Sequence, residues 1–103
     1  MSPSVVGYAL DRLSALGIEH VFGVPGDYAF PLNDAVELHP HLQWVPSSNE
    51  LNAAYAADGY ARRKGAAIVC TTYGVGELSA LNGLMGSMAE RLPVFHLVGT
   101  PSM

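Results

Sequence analysis

Four short apolar runs alternate with four stretches of helical periodicity, and this alternation limits the chain to very few architectures. His20-Val21-Phe22-Gly23-Val24, Leu42-Gln43-Trp44-Val45, residues 66–72 and Pro93-Val94-Phe95-His96-Leu97-Val98 read as buried strands. Between them, apolar residues return at helical spacing. Val6, Ala9, Leu10, Leu13 and Leu16 define a first helix over 5–16, with Ser4 as N-cap and Gly17 as stop. Pro31 opens a second helix, with Leu32, Ala35 and Val36 on its apolar face. A third spans 50–63 with Gly65 as its cap, and a fourth spans 77–91. Strands separated by helices demand right-handed βαβ crossovers. The expected fold class is therefore α/β, a parallel β-sheet with helices on both faces.

Composition supports this reading. A chain of 103 residues that is 50% hydrophobic and 14% charged has the material for one core and no more than one domain. Its net charge of −4 argues against a nucleic-acid partner. The one basic cluster, Arg62-Arg63-Lys64, falls at a helix C-terminus, where the macrodipole favours cations. The lone Cys70 lies within an apolar run and reads as an inert core residue, in keeping with a reducing cytoplasmic setting. Met1-Ser2-Pro3-Ser4 lacks the basic start of a signal peptide, and no run approaches the roughly 18 apolar residues of a spanning helix. The final Gly99-Thr100-Pro101-Ser102-Met103 reads as the loop after a strand, as though a further crossover were about to begin.

In a parallel sheet the loops that follow each strand share one rim, and ligands bind there. That rim gathers Gly23–Tyr28, Pro46–Glu50, Thr71–Glu77 and Gly99–Pro101, and with them the carboxylates Asp27, Glu50 and Glu77. Glu50 stands at the seam between a strand and an alanine-rich helix, backed by small apolar residues, and is placed for proton transfer. Glu77 reads as a first-turn acid. For Asp27, spacing leaves open both a capping and a proton-handling role. Gly74-Val75-Gly76 is too short a pattern to imply a phosphate loop, since position 79 is Ser79 and no Gly-Lys-Ser/Thr follows. The four histidines show no metal-ligand spacing, and His96 reads as a satisfied core residue.

Three segments carry a resemblance: Val21–Tyr28 (VFGVPGDY), Asn49–Arg62 (NELNAAYAADGYAR) and Thr71–Ala80 (TTYGVGELSA). In this order they resemble the thiamine diphosphate-dependent 2-oxo acid decarboxylases, in the pyruvate and indolepyruvate decarboxylase branch, over nearly the whole chain. The resemblance implies a thiamine diphosphate-binding fold, apparently truncated. Residues 1–103 would form the N-terminal part of its pyrimidine-binding domain, with no diphosphate-binding domain present. Glu50 resembles the glutamate that hydrogen-bonds N1′ of the cofactor's aminopyrimidine and so promotes loss of the thiazolium C2 proton. Pro25, Gly26, Thr72 and Val75 would line the pyrimidine pocket, and Asp27 would manage protons at the substrate carbonyl.

The implied reaction is non-oxidative decarboxylation of a 2-oxo acid to an aldehyde and carbon dioxide. Mg²⁺ and the diphosphate would be bound by a domain absent from this chain, contributed by a neighbouring subunit of a homodimer or homotetramer, so that the chain alone would be inactive. Acetolactate synthase-like carboligases share the glutamate but typically carry Pro-Gly-Gly in place of Pro25-Gly26-Asp27, and Ser-Gly-Pro-Gly in place of the Thr72–Gly76 loop. A non-catalytic association domain retaining the fold is the third alternative. Ala29, Pro46-Ser47-Ser48 and Tyr73 depart from the branch's usual residues and leave the substrate open.

Overall fold

A computed structural model describes residues 4–26 and 29–100. The expected alternation is present: α1 (Val5–Ser14), β1 (His20–Gly23), α2 (Phe30–Leu38), β2 (Gln43–Pro46), α3 (Glu50–Lys64), β3 (Ala67–Thr72), α4 (Val75–Ala89) and β4 (Val94–Gly99). The four strands form one sheet in the order β2-β1-β3-β4, and every pairing is parallel.

Local signals fix most element ends. Ser4 Oγ accepts from the Gly7 N–H at 2.9 Å and caps α1. Pro31 occupies the first turn of α2, where its missing N–H costs nothing. Asn49 Oδ1 accepts from the Asn52 N–H at 2.9 Å and caps α3. Gly65 ends α3 in the left-handed region at φ 98°, which a side chain would strain. Some expected boundaries move: α1 ends at Ser14 rather than 16, and α4 ends at Ala89 rather than 91. The fourth helix begins at Val75 rather than at 77, because Gly74 turns the chain at φ 68° and Glu77 Oε1 accepts from the Gly74 N–H at 2.9 Å. Glu77 is thus a capping acid, as its first-turn position implied.

The sheet divides the core in two. Leu10, Ile18, Val21, Val36, Leu42, Ile68 and Cys70 pack together on the α1/α2 face. On the other face Ala53, Ala57, Ala61, Ala67 and Val69 form a second cluster beneath α3 and α4. Small residues let these two helices approach closely. A Cβ on Gly83 would lie 2.8 Å from Ala54 Cβ. Farther along, the Asp58 carboxylate accepts from Ser87 Oγ at 2.7 Å and from Arg62 Nε at 2.7 Å, which ties α4 to α3. The Arg62 hydrogen bond, followed by that of Ser87, holds the Asp58 carboxyl below the usual carboxylate range.

The chain moves from β1 outward to β2, then back across the sheet to β3 and on to β4. Right-handed crossovers in opposite directions must cover opposite faces, which places α2 and α3 on different sides. The order therefore reverses between β1 and β3. The loops leaving those two strands separate there, and such a gap is where open α/β sheets hold ligands.

Candidate active site at the sheet switch point

All four strands end at the same rim, and both α3 and α4 begin there. Because these helices run side by side, their first turns are neighbours. Glu50, the first residue of α3, and Gly76, the second of α4, come together on this account. A Cβ added to Gly76 would lie 3.4 Å from Glu50 Oε2, 2.9 Å from Thr72 Cγ2 and 3.5 Å from Thr71 Cβ. A Cβ on Gly26 would lie 2.6 Å from Thr72 Cβ. Gly26, Thr72, Gly76 and Glu50 thus form one continuous wall, in which two glycines let the backbone at both positions pack directly against Thr72, where a side chain would collide.

Glu50 is half-buried, and its carboxylate makes no hydrogen bond or ion pair with any described residue. Three other acids are committed: Glu77 to the Gly74 N–H, Asp58 to Arg62 and Ser87, Glu19 to Lys64 Nζ at 2.7 Å. A half-buried carboxylate at a sheet switch point, without a partner among the described residues, is available to a ligand.

Of the residues expected at the site, Glu50, Gly26 and Thr72 are brought together. Pro25 precedes Gly26 in the loop after β1 and is exposed. Val75 opens α4 and is 81% exposed, so it stands at the mouth of the wall rather than within it. Asp27 lies outside the described residues. Gly76 was not singled out from the sequence as a site residue. Its signal was the Gly74-Val75-Gly76 pattern, which has a reason other than phosphate binding: the first glycine turns the chain and the second clears the space facing Glu50.

Two groups on β3 and β4 are drawn out of water, one fully and one in part. Burial alone pushes the Cys70 thiol up to about 12, so it stays protonated and inert, as its place in an apolar strand implied. His96, half-buried on β4, has its Nε2 2.8 Å from Oγ1 of the fully buried Thr71. Burial lowers the His96 pKa from its ordinary 6.5, and the nearby Glu77 charge partly opposes that shift. A histidine held low binds fewer protons folded than unfolded. Its neutral form therefore supports the fold above the ordinary value, and that support is lost as pH falls toward the folded value. The expected outcome is a melting temperature that declines on acidification below about 6.5, with a shallower decline in His96→Gln, measured by thermal melts across pH.

Residues 4–103 match the family model described as "Thiamine pyrophosphate enzyme, N-terminal TPP binding domain". The chain belongs to this family. Similar curated proteins include the alpha-keto-acid decarboxylases of Mycobacterium ulcerans (strain Agy99), 57% identical over 99 residues, and of Mycobacterium avium (strain 104), 56% identical over 99 residues. That of Mycobacterium tuberculosis (strain ATCC 25618 / H37Rv) is 54% identical over 99 residues. Each alignment covers 96% of this chain and 18% of the relative, so the chain spans about a fifth of the length of these proteins. Among solved structures, a protein of Mycobacterium smegmatis described as a thiamin diphosphate-dependent enzyme superposes with a TM-score of 0.83 at 26% identity. That match covers 95% of this chain and 19% of the other. Among the described residues, no helix is long and apolar enough to cross a membrane.

Proposed function

We propose that this chain supplies the aminopyrimidine-activating half-site of a thiamine diphosphate-dependent 2-oxo acid decarboxylase, with an aldehyde and carbon dioxide as products. The observation that carries the reading is the Glu50 carboxylate, unpaired among the described residues and facing the wall of Thr72 and Gly76. The names of the curated relatives supply the reaction class.

The residues present suit a flat heteroaromatic ring. Glycines at 26 and 76 bare their backbone against Thr72, where a Cβ would collide, and a single carboxylate stands beside this side-chain-poor surface. Glu50 would hold a proton at N1′ of the pyrimidine and exchange it during turnover. Gly26, Thr72 and Gly76 would set the plane of the ring, with Pro25 and Val75 closing the mouth. Asp27, in the loop after β1, would handle protons at the substrate carbonyl. The bound cofactor supplies the electron sink that decarboxylation requires, while the protein supplies placement and proton control.

Among the described residues no three His, Cys, Asp or Glu side chains converge as ion ligands. The reading assigns Mg²⁺ and the diphosphate to a second domain, contributed by a neighbouring subunit of a homodimer or homotetramer. An apolar stripe along α4 supports such an association. Val75, Leu78, Leu81, Met85 and Met88 recur at helical spacing and are 43–81% exposed.

The reading is tested by incubating the protein that carries this chain together with its diphosphate-binding domain with thiamine diphosphate, Mg²⁺ and a panel of 2-oxo acids. The panel comprises pyruvate, indolepyruvate, phenylpyruvate and a branched-chain acid. Release of carbon dioxide matched by aldehyde is expected for at least one acid. Acetohydroxy acid as the main product would replace the reading with a carboligase, and no turnover of any acid would reject it.

A further inference from the structure

The hydroxyl of Thr71 is fully buried in β3, and the group within hydrogen-bonding distance of it comes from the neighbouring strand: His96 Nε2 on β4, at 2.8 Å. A hydroxyl and an imidazole nitrogen can pair in two senses. When Nε2 is bare, Thr71 donates its proton to the ring. When Nε2 carries a proton the ring can only donate, and the Thr71 hydroxyl must turn and accept. With the neutral ring in its Nδ1–H tautomer, which leaves Nε2 to accept from the buried hydroxyl, protonation of His96 reverses the hydrogen bond at Thr71 and does not merely change the charge nearby.

Thr71 is also where β3 meets the candidate site. Its Cβ and Glu50 Oε2 both lie within 3.5 Å of the same point, the place a Cβ would occupy on Gly76. The next residue, Thr72, forms the face against Gly26 and Gly76. We propose that His96 is a positioning residue for the Glu50 site: through Thr71 it sets the end of β3, and its protonation moves the wall formed by Thr72 and Gly76.

The surroundings of the ring favour such a role. The ring lies on the same face of the sheet as Val69, its register partner on β3, which belongs to the apolar cluster beneath α3 and α4 and does not titrate. From α4 the charge that acts on it is Glu77, and Glu77 Oε1 also holds the Gly74 N–H at the start of the same loop. From β3 the partner is Thr71. Burial keeps the ring neutral at neutral pH, so the arrangement described above is that of the uncharged ring.

The significance of the moving wall rests on the reading of Glu50 given above, but the movement itself can be tested without cofactor or turnover. In the isotope-labelled chain, the His96 ring resonances and the Thr72 and Gly76 backbone amides are followed by NMR as pH is lowered from 8 toward 4.5. Both amides are expected to shift with the same midpoint as the His96 ring. That inflection should vanish in His96→Gln and in Thr71→Val, persist in Thr71→Ser, and persist in Glu77→Gln, which removes the neighbouring carboxylate. Amides that stay flat through the His96 transition would overturn the proposal, as would an inflection that survives in Thr71→Val or disappears in Glu77→Gln. The two readings fail separately: flat amides reject the role of His96 whatever Glu50 does, whereas a Glu50 variant that still decarboxylates rejects the role of Glu50 and leaves the coupling standing.

Discussion

Glu50→Gln, introduced into the protein that carries this chain with its diphosphate-binding domain, is expected to lower the decarboxylation rate by about 10²–10⁴-fold, the usual contribution of a positioned acid–base group. The substitution keeps the shape of the side chain and its ability to hydrogen-bond. It removes the capacity to hold and release a proton at the pyrimidine. Folding should be untouched, because the carboxylate has no partner among the described residues and α3 is capped by Asn49 rather than by Glu50. Steady-state rates at saturating cofactor, read beside a thermal melt of each protein, check this. An unchanged melt with a collapsed rate is the expected pair, and retained decarboxylation would end the assignment of Glu50.

The largest effect on stability is expected at Gly23, the last residue of β1. A Cβ there would overlap the Cys70 carbonyl oxygen and lie 2.8 Å from Trp44 Cη2. One obstacle is backbone of the adjacent strand, so relief requires β1 and β3 to separate. Gly23→Ala should therefore cost about 3 kcal/mol or more, at or beyond the top of the usual overpacking range. That is a large fraction of the roughly 5–15 kcal/mol that holds a domain folded. Gly59→Ala is the internal control. Gly59 lies within α3 with nothing within 4 Å of its added Cβ, and alanine there should stabilise the helix by about 0.5–1 kcal/mol. Urea denaturation of both variants tests the contrast, and a wild-type midpoint for Gly23→Ala would refute the clash.

Much of this fold was legible because its signals are local. Ser4, Pro31 and Gly65 each act on the backbone within one helical turn, and each marks the boundary that its chemistry implies. The start of α4 was misplaced by two residues because a capping acid at the third helical position looks the same as one at the first until the φ of Gly74 is known. Glu50 could be singled out because a strand-to-helix seam has only one place in a parallel sheet. Gly76 and the Thr71–His96 pair could not, since both depend on which strands are neighbours. Strand order follows from crossover direction, and no short stretch of sequence encodes it.

The all-parallel ladder also constrains how the chain reaches this state. His20 pairs with Gln43, Val21 with Ile68 and Ala67 with Val94, so no two strands can meet without first enclosing a whole helix. A sheet of this kind has no hairpin in which to nucleate, and each pairing must overcome the closure entropy of a long loop before its hydrogen bonds contribute. The β1–β3 contact encloses the longest stretch, α2, β2 and α3 together. The switch point, where the candidate site lies, therefore depends on the least local association in the molecule, and the helices on either side must form as it closes.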